Sequence, residues 1–245
     1  MIKAFVVTTI LFFSTHVLAE SLQLPKVKEG DTWTYRATFD NTSGSNTAGG
    51  WSQNSSVNTV TRVTSSTIFL DVHQTESKLP PKEIFVGLDW SLMQDFNGIQ
   101  TITSQPLNFP LYVGKSWNLN LTNPRQVQNI QSVTNTIKYV TIGYEKVSVP
   151  AGDFNALKIE AEGQWTADLI AQKSVVQSGK VDANGSTMVS QTQNNTAKQA
   201  SGKLYKVYWY APETKRIVKS IEEVYSNTNV RTNQITLELE SFKVN

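Results

Sequence analysis

Histidine occurs twice in the 245 residues, at His16 and His73, and cysteine does not occur. His73 follows Asp71 at the end of a β-like run, a spacing that could supply half of an acid–base pair. Zinc sites gather several Cys, His or carboxylate ligands, and no Gly-x-Ser-x-Gly elbow opens a helix to present a serine nucleophile. His73 therefore reads as a surface or hydrogen-bonded structural residue. The carboxylates offer more. Asp89 and Asp95 flank an aromatic segment containing Trp90, Met93 and Phe96, and apolar neighbours that strip water from a carboxyl raise its pKa toward that of a general acid. These two are the candidates for a hydrolase with paired carboxylates; the competing reading is a solvated turn beside core aromatics. Glu222 and Glu223 are further candidates, whereas Glu160 and Glu162 share a strand face with Lys158 and read as wet sheet surface. Asp182-Ala-Asn184-Gly-Ser186 lacks the spacing and final glutamate of a calcium loop and fits an Asn-Gly hairpin turn. No phosphate-cradling glycine motif is present, so neither a metal nor a cofactor is expected.

The side chains suited to binding are aromatic. In Asp31 to Phe39, Trp33, Tyr35, Ala37 and Phe39 alternate with threonine and arginine, as in a strand with one buried face. Ser116 to Leu121 alternates again with Trp117, Leu119 and Leu121, and Tyr205, Tyr208, Trp209 and Tyr210 form the densest aromatic cluster. Trp33, Tyr35, Trp117, Leu119, Phe154, Tyr208 and Tyr210 are the residues expected to line a concave ligand-binding face. The strands that must position them include one from about Asn129 to Val149, with Gly143 as a bulge or bend. A tight turn follows at Pro150-Ala-Gly-Asp153, then strands at Phe154–Ala161, Leu204–Tyr210, Arg216–Tyr225 and Ile235–Val244. Asn41 to Asn58 reads as a long polar hairpin loop or surface excursion. Gly87 to Gly98 reads as a strand pair or a short helix. Ala167 to Gln177 is the best helical candidate, with an extended form as its rival. The polar stretch from Ser178 to Gly202 suits an exposed β-hairpin.

Residues 1–19 read as a signal peptide: Lys3, an apolar run from Ala4 to Phe13, and Val17-Leu-Ala19 as the cleavage site. Residues 20–245 then form a single β domain with a polar insertion near 178–202. A chain of this size buries roughly 70% of its unfolded surface. The formal net charge is +2 with the charges scattered, which excludes a nucleic-acid footprint, and no later segment is apolar enough for a transmembrane anchor. The expected location is periplasmic or secreted. The composition favours an all-β fold: a strongly curved antiparallel sheet, sandwich or partly open barrel, with little helix.

Gly30-Asp-Thr-Trp33-Thr-Tyr35, Pro110-Leu-Tyr-Val-Gly114-Lys-Ser-Trp117, Val147-Ser-Val-Pro-Ala-Gly-Asp-Phe154 with Ala156-Leu-Lys-Ile159, and Trp209-Tyr-Ala-Pro212 with Arg216-Ile-Val-Lys219 recur in order along the chain. In these pieces, spread from Gly30 to Tyr225, the sequence resembles exported bacterial domains of unknown function of the DUF3108 and TapB-like kind. The resemblance implies an all-β domain around a curved antiparallel sheet, similar in outline to periplasmic lipoprotein carriers, and it brings no catalytic residues. The polar stretch between Trp165 and Leu204 departs from that pattern. The expected function is non-enzymatic binding of an apolar or amphipathic small molecule, or of an envelope protein partner, on the concave face. The alternatives are a structural or protein-interaction module with a filled core, and the hydrolase.

Overall fold

The computed structural model describes residues 21–41, 50–96, 98–123, 130–181, 184 and 187–245; the signal-peptide reading and most of the Asp182–Ser186 turn lie outside them. The strands are β1 (Thr32–Asn41), β2 (Gly50–Val63), β3 (Thr67–Gln74), β4 (Lys82–Gly87), β5 (Leu92–Phe96), β6 (Ile99–Ser104), β7 (Ser116–Asn123), β8 (Ile130–Val149), β9 (Gly152–Val181), β10 (Thr187–Ala211), β11 (Arg216–Ser226) and β12 (Arg231–Lys243). All twelve belong to one sheet. Neighbours in sequence are hydrogen-bonded neighbours from β1 to β6 and from β7 to β12, and β12 returns to pair with β1. The result is an antiparallel meander curled into a nearly closed barrel, as the alternating patterns predict, with its seam between β6 and β7. Register shifts at Thr34/Tyr35, Thr141/Gly143 and Trp209/Tyr210 supply local curvature. The Gly143 bulge is the expected one.

Residues opposite each other in a ladder share a face, so the register sorts inner wall from outer. Moving along the barrel axis, the inner wall carries Tyr208, Ile159, Thr141 and Ser220 at one level. Next come Lys206, Ala161, Tyr139, Trp117 and Glu222, then Leu204, Gly163, Ile137, Leu119 and Val224. On the far side Leu237 and Ala37 stand level with Ser220, and Ile235 and Phe39 level with Glu222. The outer wall carries ion pairs: Arg36–Glu238, Lys219–Glu238 and Lys158–Glu160, each at 3.0 Å. Such exposed pairs add little stability one by one. Their value here is diagnostic, because a wall dense in charge faces water and not lipid.

Three expectations change. Ala167–Gln177 is strand, within β9, because its β-branched residues continue a ladder already running through Ala167 and Leu169 to β8 and β10. Much of the 41–58 excursion is also strand: β2 begins at Gly50 and pairs with β1 along its length. Gly87–Gly98 resolves into a turn after β4 followed by β5. The polar stretch folds back on itself only where 178–181 pairs with 187–190; Gln191 to Gly202 pairs with Trp165 to Gln177, so it is the end and one strand of a longer hairpin than expected. Its residues beyond Leu169 and Gly202 have outrun β8 and β11, so among the described residues β9 and β10 pair only with each other from Gln172–Thr196 to Val181–Thr187.

The place where this arm leaves the barrel is closely packed. Trp165 lies across Gly202 and donates its indole N–H to the Tyr225 carbonyl on β11, 3.0 Å away. A Cβ on Gly202 would stand 1.9 Å from that carbonyl oxygen and 2.6 Å from Trp165 Nε1. A backbone oxygen cannot yield as a side-chain tip can. Gly202→Ala is therefore expected to destabilise the barrel by about 3 kcal/mol, read as a lower urea midpoint, with Ala200→Gly in the same strand costing about 1 kcal/mol or less.

Candidate functional site

One end of the barrel is sealed by the β10–β11 turn, a 3-10 turn at Pro212–Thr214 followed by Lys215 in the left-handed region at φ +61°. Three aromatic side chains donate to its carbonyls: Trp33 Nε1 to Thr214 O at 2.8 Å, Trp90 Nε1 to Lys215 O at 2.8 Å and Tyr35 Oη to Ile217 O at 2.6 Å. The Arg216 guanidinium lies among the same three rings, 4.4 Å from the centroid of Trp90, 5.0 Å from Trp33 and 5.1 Å from Tyr35. Cation–π attraction offsets part of the cost of removing that charge from water. Trp90 itself sits at φ +65°, costly for a bulky residue, and is held there by its indole bond and by the edge of Trp33 at 5.4 Å. The connection across the seam completes the seal: Leu107 and Leu111 are fully buried, and Phe109 meets Tyr210 edge-on at 5.5 Å.

Lys215 secures the turn from below. Its ammonium reaches Asp31 Oδ2 at 2.8 Å and the Asn245 carbonyl at 2.8 Å, while the Asp31 carboxylate also accepts the backbone N–H of Lys28 and of Asn245. Burial alone would raise the Asp31 pKa, but the hydrogen bonds from Lys215, Lys28 and Asn245 outweigh it and hold the carboxyl below its ordinary value.

Away from the seal the inner wall loosens. Ala37, Phe39, Leu119, Leu121, Ile235 and Leu237 face inward yet stay only half-buried, whereas Trp33, Tyr139 and Leu239 on the same wall are fully buried. Toward the other end Trp117 stacks on Tyr139 at 5.1 Å with planes 2° apart, and Tyr139 stacks at 6.4 Å on Tyr208. The Tyr208 hydroxyl donates to Glu222 Oε1 at 3.1 Å, and Lys206 Nζ meets Glu222 Oε2 at 2.7 Å. Burial, with the nearby Glu222 charge, pushes the Tyr139 and Tyr208 phenols well above their ordinary value, so both remain neutral donors at any physiological pH.

The seven residues expected on a concave face divide by position. Trp117, Leu119 and Tyr208 come together in the wider half. Trp33, Tyr35 and Tyr210 belong to the seal, and Phe154 stands apart against Phe242 at 6.0 Å, where the Ala151 N–H reaches Leu239 O. Tyr139 and Lys206 were not foreseen, and Glu222 was read only as a candidate carboxylate. Their alternation is visible in sequence, but which strand faces Trp117 is a matter of register. Asp89 and Asp95 cap turns at opposite ends of β5: Asp89 accepts from Ser91 N–H and Gln105 Nε2, and Asp95 from Gly98 N–H. Glu160 lies on the outer wall paired with Lys158, as read from sequence, and His73 is on the outer wall opposite Val57. Outside the barrel, a groove of about 640 Å3 runs between Lys138, Glu162, Gln164, Lys203, Tyr205 and Tyr225, its walls charged.

No family model matches the chain, and no curated protein matches it in sequence; the resemblance to DUF3108 and TapB-like domains thus rests on the residues quoted above. Among solved structures, a provisionally assigned lipoprotein from Parabacteroides distasonis is similar over 91% of this chain and 100% of its own, at 14% identity and a TM-score of 0.46. A provisionally assigned exported protein with a YmcC-like fold from Bacteroides fragilis is similar over 91% and 99%, at 14% identity and a TM-score of 0.40.

The Asp31 clamp gives the seal a pH dependence with a definite sign. Because the folded pKa lies below the unfolded value of about 3.9, the stabilisation is complete above that value and is lost as pH falls through the folded pKa. Asp31→Asn should lower stability by about 2 kcal/mol at neutral pH, and the gap from the parent should shrink in urea titrations below about pH 4.

Proposed function

We propose that this protein is an exported, non-catalytic binding protein that holds an apolar or amphipathic molecule in the wider half of its barrel. One observation carries the reading: a continuous inner wall is fully packed at the sealed end but leaves Phe39, Leu119, Leu121, Ile235 and Leu237 half-buried farther along. Apolar groups facing inward and still accessible define a concavity, and concave apolar sites with a few polar groups are what small-molecule pockets are made of. The stacked Trp117, Tyr139 and Tyr208 are a rigid aromatic group beside it. Export is supported by the N-terminal pattern of Lys3, the apolar run and Val17-Leu-Ala19, and a water-facing outer wall suits a carrier or receptor in the periplasm or outside the cell.

The test is saturable binding of N-phenyl-1-naphthylamine, an apolar probe that brightens out of water, to protein stripped of lipid by organic extraction. One site per chain is expected. Leu119→Glu, which places a charge on the inner wall, should weaken binding at least tenfold, while Leu79→Glu at an exposed position should leave it unchanged. Absence of saturable binding, or equal loss in both variants, would remove the container reading.

A further inference from the structure

The groove of about 640 Å3 on the outer wall is built from two adjacent ladder rows. Lys138, Glu162 and Tyr205 stand in register across β8, β9 and β10, with Glu223 next on β11, and Gln164, Lys203 and Tyr225 form the row beside them across β9, β10 and β11. Partners in a ladder share a face, and residues two apart on one strand return to it, so these side chains all point outward together. The neighbouring outer-wall charges are neutralised in pairs, Lys158 with Glu160 at 3.0 Å and Arg231 with Glu223 at 3.2 Å. Those of the groove are not. Lys138 and Glu162 face each other in the ladder without closing an ion pair, and among the described residues neither they, nor Gln164, nor the Tyr205 hydroxyl makes a hydrogen bond. Lys203 donates to the neutral amide oxygen of Asn229 at 3.1 Å, and the Tyr225 hydroxyl donates to Glu223 Oε2 at 2.8 Å.

We propose that this groove is a carbohydrate-binding site whose ligand is an uncharged oligosaccharide lying across Tyr205 and Tyr225. It is a second site, on the opposite side of the wall from the proposed container, and does not rest on that reading. The inventory of polar groups selects the chemistry. Lys138 and Lys203 only donate, Glu162 only accepts, and the Gln164 amide does both. An anion drawn to the lysines would stand against Glu162, and a cation drawn to Glu162 would stand against the lysines. A hydroxyl donates and accepts, so a polyhydroxylated neutral ligand serves every group. Burial, with the carboxylates of Glu160, Glu162 and Glu223 outweighing Lys158, raises the Tyr205 pKa, so its hydroxyl also remains able to do both. The half-buried rings of Tyr205 and Tyr225 supply what hydroxyls cannot. An aromatic face is electron-rich, and the polarised C–H groups on the flat side of a sugar meet it favourably. The two tyrosines are diagonal neighbours on β10 and β11, roughly 7–8 Å apart at the backbone, so a ligand resting on both is a chain of sugars and not a single ring. The groove is of the size that such ligands occupy.

The experiment probes the full chain on an array of immobilised neutral oligosaccharides of increasing length, from single hexoses and N-acetylhexosamines upward, with heparin fragments as the anionic arm. Titration calorimetry on the best neutral binder follows. At least one neutral oligosaccharide should bind, and its monosaccharide should bind about tenfold more weakly or worse. Glu162→Ala and Gln164→Ala, both at exposed positions, should each weaken binding about fivefold, the loss of one hydrogen bond, with the melting temperature unchanged. Tyr205→Ala should weaken it about tenfold or more, and Tyr205→Phe, which keeps the ring, should lose less. None of these variants should alter N-phenyl-1-naphthylamine binding, so this site and the container stand or fall separately. Binding of heparin fragments alone would reduce the groove to the charge of its lysines and overturn the proposal. So would an array with no neutral binder, or an oligosaccharide affinity unmoved by both Glu162→Ala and Tyr205→Ala.

Discussion

A barrel needs its ends closed against water, and here the closure of one end rests on the carbonyls of the β10–β11 turn and of Ile217 just after it. Thr214, Lys215 and Ile217 offer oxygens that would be stranded inside a hydrophobic end, and Trp33, Trp90 and Tyr35 answer them with one donor each. The rings that carry those donors also supply the apolar bulk of the plug and the faces on which the Arg216 charge lies. Each aromatic thus satisfies a polar group with its tip while its body excludes water. Lys215 binds the same turn to Asp31, so the start of β1 and the tail after β12 are fastened at one point. Strands β1 and β12 are the pair that joins the two halves of the meander, and this clamp lies at their end.

From that seal the inner wall changes character in steps of two residues. Trp33, Leu239 and Leu157 are fully buried, then Thr141 and Ser220 introduce hydroxyls level with half-buried Ala37 and Leu237, and then Glu222 and Lys206 introduce charge level with half-buried Phe39 and Ile235. Such a gradient is awkward for a filled core, where a polar belt costs stability without return. The proposed occupant would have a polar part and an apolar part.

How much of this was legible in the sequence follows from what each feature depends on. Strand identity depends on local alternation, so Trp33-Thr-Tyr35 and Trp117-Asn-Leu119 were readable with their inward faces. The turn at Pro150–Asp153 was readable because proline and glycine carry their own backbone preferences, and Gly152 does adopt φ +132°. Ala167–Gln177 was ambiguous because alanine, lysine and glutamine favour helix locally, and only the ladder with β8 and β10 makes it strand. The site was harder. Tyr208 and Tyr210 look equivalent in sequence, yet one stacks in the receptive half and the other closes the seal against Phe109. That division is set by where along the axis each residue falls, which no local pattern encodes. Asp89 and Asp95 illustrate the converse, since aromatic neighbours in sequence drew attention to carboxylates that the fold uses to fix turns.

Glycine placement shows the same logic at the mouth. Gly202 sits where β10 parts from β11, and Gly163 lies beside β8, where a Cβ would stand 2.3 Å from the Thr136 carbonyl. With both positions empty of side chain, β9 approaches β8 closely and Trp165 can lie flat over β10 to reach Tyr225 on β11. The indole replaces the packing that a glycine in a strand forfeits and carries a hydrogen bond across an intervening strand. Three strands are thereby pinned at the level where ladder support from β11 ends.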